Sequence, residues 1–109
     1  SNPLPVIYEV NLEVQPQISG EFEAWLGEHI AELLALPGFC SAQRFRRVAA
    51  EEGRSGPDGG PVLLTVHYTL SSREALEEYF QTHAPRMREA GLKRWPGQFS
   101  ATRRILYTA

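Results

Sequence analysis

Between Val6 and Val14 the chain alternates strictly, with Val6, Tyr8, Val10, Leu12 and Val14 at even positions and Ile7, Glu9, Asn11 and Glu13 at odd ones. That pattern predicts a strand with one buried face, because successive strand side chains point to opposite sides. Val62 to Leu70 repeats it: Val62, Leu64, Val66, Tyr68 and Leu70 share one face, Leu63, Thr65, His67 and Thr69 the other. Between these strands the period changes to three and four. Ile18, Phe22, Trp25, Leu26, Ile30, Leu33 and Leu34 line one side of a predicted helix, with Glu21, Glu28 and Glu32 on the other. Ser19 is its expected N-cap, and Pro37-Gly38 stops it at Leu36.

The remaining elements are less regular. Phe39 to Val48 reads as a strand in which Phe39 and Phe45 share a parity that Cys40, Ala42 and Val48 do not, the mark of a bulge or an edge position. Ala49 to Pro61, rich in glycine and without a large apolar residue, predicts a flexible hairpin loop. Ser71 and Glu74 suggest a capping box for a second helix with Ala75, Leu76, Tyr79, Phe80 and Met87 on its apolar side. Pro85 must kink this helix or begin another, since its ring removes a backbone donor and crowds the preceding turn. Phe99 to Tyr107 is the last predicted strand.

The order strand, helix, strand, strand, helix, strand is that of an α+β, ferredoxin-like βαββαβ fold. Four antiparallel strands form the sheet and both helices cover one face. The two cleanest strands, the first and third, then form its central pair. Residues 1–109 read as one domain, with 1–5 a tag remnant or disordered start and 49–61 the flexible loop. The uncovered sheet face, with Glu9 and His67 at its centre and Ile7 and Leu63 at its margins, predicts a homodimer through that face.

Composition narrows the function classes. At 42% hydrophobic and 22% charged the chain is ordinary for a globular protein, and a net charge of -2 offers no general attraction for nucleic acid or an anionic membrane. No apolar run is long enough for a membrane span. The single cysteine, Cys40, has no internal disulfide partner and fits a reducing cytoplasm; its place beside Phe39 reads as a small buried hydrophobe. Three histidines without short ligand spacing make no metal signature, and no glycine loop of the phosphate-cradling kind occurs. No cofactor motif is present; haem would have only His29 or His83 as an axial ligand.

Several separated motifs occur in order: Ile7-Tyr8-Glu9-Val10-Asn11-Leu12-Glu13-Val14, Phe22-Glu23-Ala24-Trp25-Leu26 with His29-Ile30, Leu36-Pro37-Gly38-Phe39, His83-Ala84-Pro85-Arg86-Met87-Arg88, and Arg103-Arg104. In these the chain resembles the small bacterial proteins grouped as domain of unknown function 4286. That family is similar in layout to the dimeric α/β-barrel proteins, which include cofactor-free monooxygenases of antibiotic biosynthesis, isomerases and haem-handling enzymes. The resemblance implies a ferredoxin-like fold and dimerisation, and it transfers no catalytic residue.

Candidate chemistry therefore rests on individual side chains. His29, on the apolar stripe four residues from both Trp25 and Leu33, is a candidate proton carrier or a structural histidine. His67 faces the open side near Glu9, as a second proton carrier or half of a cross-strand ion pair. His83, Arg86, Arg88 and Arg104 are candidates for holding a small-molecule anion. Arg86, Arg88, Lys93, Arg94, Arg103 and Arg104 make more than half of the 11 basic residues and suggest one basic end, or else cations that offset a helix dipole and pair with glutamates of the first helix. Two classes stay open: a dimeric ligand-binding or interaction module, and a cofactor-independent enzyme of the monooxygenase or isomerase type. The enzyme needs an enclosed pocket on which a histidine and an arginine converge.

Overall fold

The computed structural model describes residues 4–54 and 60–109. In chain order it has strand β1 (Val6–Val14), a 3-10 turn (Pro16–Ile18), helix α1 (Ser19–Leu34), strand β2 (Phe39–Arg47), a 3-10 turn (Ala49–Glu52), strand β3 (Val62–Leu70), helices α2 (Arg73–Thr82) and α3 (Ala84–Arg94), and strand β4 (Phe99–Tyr107). The sheet runs β2-β3-β1-β4, with β1 antiparallel to both β3 and β4, and β2 antiparallel to β3. The two cleanly alternating strands are the central pair, as the pattern requires.

The even residues of β1 and β3 pack beneath the helices with Phe22, Leu26, Ile30 and Leu33 of α1, Leu76 and Tyr79 of α2, and Met87 of α3. Aromatic rings stitch this core. Tyr8 lies stacked on Tyr68 at 6.0 Å and edge-on to Phe80 at 5.4 Å, and Phe22 lies within 5.2 Å of Trp95.

Local details depart from the sequence reading where backbone chemistry overrides pattern. Ser19 is the first helical residue rather than the N-cap, because the preceding 3-10 turn leads straight into α1 and its hydroxyl donates to the Pro16 carbonyl. Helix α1 closes at Leu34, before Pro37. Gly38 takes φ +85°, and an added Cβ there would lie 2.5 Å from that of Ala75, so only glycine fits this turn. The cap of α2 is Ser72, which accepts from the Ala75 amide, so the Ser71-Glu74 box does not form. Pro85 starts a helix of its own, making three helices, with His83 at the break.

Strand β2 carries both of the expected irregularities. It is an edge strand, and its register slips between Phe39 and Ser41. The slip puts Phe39 in the core and leaves Cys40 exposed, contrary to its reading as a buried hydrophobe. The loop after β2 is also less free than its composition suggests. Residues 49–54 are tied to the open sheet face by Arg47 to Glu52 at 2.8 Å and Arg54 to Glu13 at 2.7 Å, while 55–59 of the expected flexible loop lie outside the described residues.

Candidate functional site

The open sheet face is a closed polar network. Cross-strand register sets Glu9 opposite His67 on β3 and Arg104 on β4. Glu9 accepts from Arg104 Nε at 2.6 Å and Asn11 Nδ2 at 2.8 Å, and lies 2.7 Å from His67 Nε2. Asn11 accepts in turn from the Thr65 hydroxyl at 2.6 Å, and Arg47 reaches Thr65 and the Leu64 carbonyl. The Glu9 carboxylate, only 4% exposed, is held down to about 2 by Arg104 first and then by Asn11 and His67, against a burial cost that pushes the other way. Phe45 stands edge-on to His67 at 5.2 Å.

The other face differs. Between sheet and helices lies a cavity of about 50 Å³, room for a few water molecules. Its apolar wall includes Phe22, Trp25, Leu26 and Phe99, and its polar wall comprises Tyr8, Tyr68, Tyr79, His29, Arg88 and Arg103, with no carboxylate among the lining residues. Helix α1 brings His29 here one turn beyond Trp25, on whose indole it stacks at 4.6 Å with the planes 20° apart. Burial pushes the His29 imidazole below its ordinary value, Arg103 adds to that, and Glu32 opposes it. Its neutral form is therefore favoured near pH 7.

Tyr68 and Tyr79 are neutral donors. Tyr8 accepts from Arg88 Nη2 at 3.1 Å. The hydroxyls of Tyr68 and Tyr79 make no hydrogen bond to another protein group among the described residues and keep some accessible surface, although the residues are 2% and 3% exposed. Burial pushes both phenols up, Tyr79 to about 12. Arg88 has a buried Nε with no partner.

The six candidates from the sequence thus fall into three places. His29 and Arg88 line the cavity, His67 and Arg104 share Glu9 on the opposite face, and His83 pairs with Arg86 at the α2–α3 break, 2.6 Å from Nδ1 to Nη2. No single basic end forms. Lys93 pairs with Glu89, Arg94 lies 4.4 Å over the Trp95 ring, and neighbouring Arg103 and Arg104 point to opposite sheet faces. The anticipated pairing of these cations with α1 glutamates is also absent among the described residues. The α1 acid that is paired, Glu23, meets Arg46 of β2. Residues missed as site candidates are Tyr8, Tyr68 and Tyr79, while Arg103 belongs to the expected basic end; strand parity placed Tyr8 and Tyr68 inward and the apolar side of the second helix did so for Tyr79, but nothing local marked the gap between them.

The sequence profile of a domain of unknown function (DUF4286) matches residues 5–109. The chain belongs to the DUF4286 family. No curated protein matches the sequence. Among solved structures, a conserved protein from Methanosarcina mazei Go1 superposes with a TM-score of 0.69 at 14% identity, covering 97% of this chain and 94% of that one. A mutant of SnoaB, a cofactor-independent oxygenase from Streptomyces nogalater, gives 0.62 at 13% identity over 95% and 92%. An ethyl tert-butyl ether D (EthD) family protein from Bacillus halodurans gives 0.63 at 18% identity over 95% and 99%. At these identities the likeness is one of fold, and it places this DUF4286 chain among ferredoxin-like α+β proteins. No helix of the described residues is long and apolar enough to cross a membrane.

Proposed function

We propose that this DUF4286 chain binds a small acidic organic molecule in the helix-side cavity and that His29 moves a proton on it without a bound cofactor. The observation that carries this reading is the convergence of a histidine biased to its neutral form and two arginines on one cavity that holds no acid. A neutral imidazole accepts a proton at pH 7, and the guanidiniums compensate the negative charge that its removal leaves. The fold-level likeness to the oxygenase SnoaB raises this reading above a purely structural one. At about 50 Å³ the cavity is below the size of most ligand sites, so binding requires Trp25 and His29, both part-exposed, to shift outward.

A homodimer through the open sheet face goes with this proposal. The charges there are internally paired and Ile7 and Leu106 flank them, so a second copy can desolvate the face without stranding a charge. The exposed, single thiol of Cys40 fits a cytoplasmic setting.

Native mass spectrometry of freshly purified protein gives oligomeric state and retained ligand together. We expect a dimer carrying a small molecule that His29→Ala or Arg88→Ala loses. Turnover of that molecule should fall on the acid side with a midpoint below 6.5, since the base is lost only when the depressed imidazole protonates. An empty protein, or a ligand held equally by both variants, overturns the cavity assignment.

A further inference from the structure

The inner wall of the cavity presents donors and nothing to satisfy them. Tyr68 and Tyr79 come from adjacent layers, one from the central strand β3 and one from α2. Their rings flank that of Tyr8, at 6.0 and 5.9 Å between centroids, and burial together with the neighbouring phenol of Tyr8 raises the cost of ionising both. Both remain O–H donors throughout the physiological range. Arg88, anchored by Nη2 on Tyr8, adds the buried Nε that has no partner. Donors gathered on a cavity with a largely apolar wall call for an acceptor oxygen, and held in place they stabilise negative charge on it.

His29, part-exposed on α1, lines the same cavity as the base. A base and oxygen-directed donors on one cavity are what is needed to remove a proton from carbon while the electron pair moves to oxygen. We propose that Tyr68, Tyr79 and Arg88 form an oxyanion site, and that the cavity's substrate is a carbonyl compound with a hydrogen on the neighbouring carbon, which His29 converts to its enolate. This rests on the helix-side cavity being the ligand site.

The step balances without a further reactant. The C–H bond breaks and its proton goes to the imidazole; that electron pair becomes the C=C bond, while the carbonyl π pair moves to oxygen. The resulting oxyanion accepts from the Tyr68 and Tyr79 hydroxyls and from Arg88. Return of the proton to the same carbon gives exchange, and return to another carbon of a conjugated substrate gives an isomer. Arg103, which also lines the cavity, serves substrates that also carry a carboxylate.

The test uses 4-nitrophenol, whose colour reports ionisation, as an oxyanion mimic, and deuterium exchange of acetone, pyruvate and phenylpyruvate in D2O followed by NMR. Tyr68→Phe and Tyr79→Phe remove only a hydroxyl, and far-ultraviolet circular dichroism checks that each folds. Wild type should bind 4-nitrophenol ionised at a pH where the free compound is largely neutral, and each variant should weaken this about tenfold. His29→Gln should keep phenolate binding and lose exchange, whereas the tyrosine variants should slow exchange with no shift in its pH midpoint.

Neutral binding, or ionised binding unchanged in both tyrosine variants, overturns the oxyanion site while leaving the cavity as a ligand site. Absence of accelerated exchange for all three carbonyl compounds overturns the substrate class. Failure to bind 4-nitrophenol at all, together with an empty protein in native mass spectrometry, removes the cavity reading itself.

Discussion

The two faces of the sheet hold similar inventories of side chains and use them in opposite ways. On the open face Glu9, His67, Arg104, Asn11, Thr65 and Arg47 satisfy one another, so a carboxylate that is 4% exposed is already compensated. On the helix side His29, Arg88, Arg103 and the phenols of Tyr68 and Tyr79 line one cavity with no acid among them, and among the described residues the buried Nε of Arg88 is left without a partner. A satisfied buried network contributes to one conformation; an unsatisfied one stores binding capacity for something else. The histidine beside a carboxylate is therefore part of the satisfied network, and the histidine against a tryptophan is the one to which the proposal gives a proton-transfer role.

The sharpest way to break that contrast is Glu9→Ala. It leaves Arg104 and His67 facing each other over an emptied site, and should cost about 3 kcal/mol in urea unfolding, with ligand binding in the cavity retained. A loss under 1 kcal/mol would mean that the open-face network contributes little to folding.

Acid titration probes the same group more gently. The folded pKa of Glu9, about 2, lies below its ordinary value of 4.5, so its contribution is complete above 4.5 and is lost as pH falls toward 2. With allowance for the solvent around Arg104, whose side chain is 67% exposed, this amounts to roughly 2 kcal/mol. The Glu9→Gln variant should lack that component in pH-dependent thermal melts.

The smallest stability effect is expected on the cavity side, at Gly91. A Cβ there would stand 3.0 Å from the Trp25 ring and 3.1 Å from that of Phe99. Gly91→Ala gains about 1 kcal/mol of helix propensity and loses a comparable amount in crowding, so the midpoint of unfolding should barely move. Because Trp25 must shift, tryptophan fluorescence and affinity for the cavity ligand should change several-fold. A large destabilisation with unchanged affinity would make Trp25 a core residue rather than part of a site wall.

Much of the fold was legible from local pattern. The even residues of β1 and β3 declared the buried face, Pro85 declared a kink or a new helix, and the parity that Phe39 and Phe45 share against Cys40, Ala42 and Val48 declared a bulge or an edge position in β2. The misreadings have physical causes too. Ser71 and Ser72 are both competent caps, and the backbone leaving β3 selected the second. Cys40 has apolar chemistry but sits in the bulge, where the register slip turns it outward.

The candidate site was legible only in part. The sequence offers His29 or His67 with Arg86, Arg88 or Arg104 as a proton carrier and an anion holder, and nothing in it selects the pair His29 and Arg88 or joins them to Tyr68 and Tyr79. Arg103 and Arg104 read as a pair because they are adjacent, yet adjacency in a strand guarantees opposite faces. Periodicity by itself determined the faces of each element, since side-chain direction follows from backbone geometry a few residues long. Which long side chains meet depended on contacts such as Arg88 with Tyr8, 80 positions apart, and on where helices leave a gap above the sheet. Those are properties of packing between elements, and only the tertiary structure decides them.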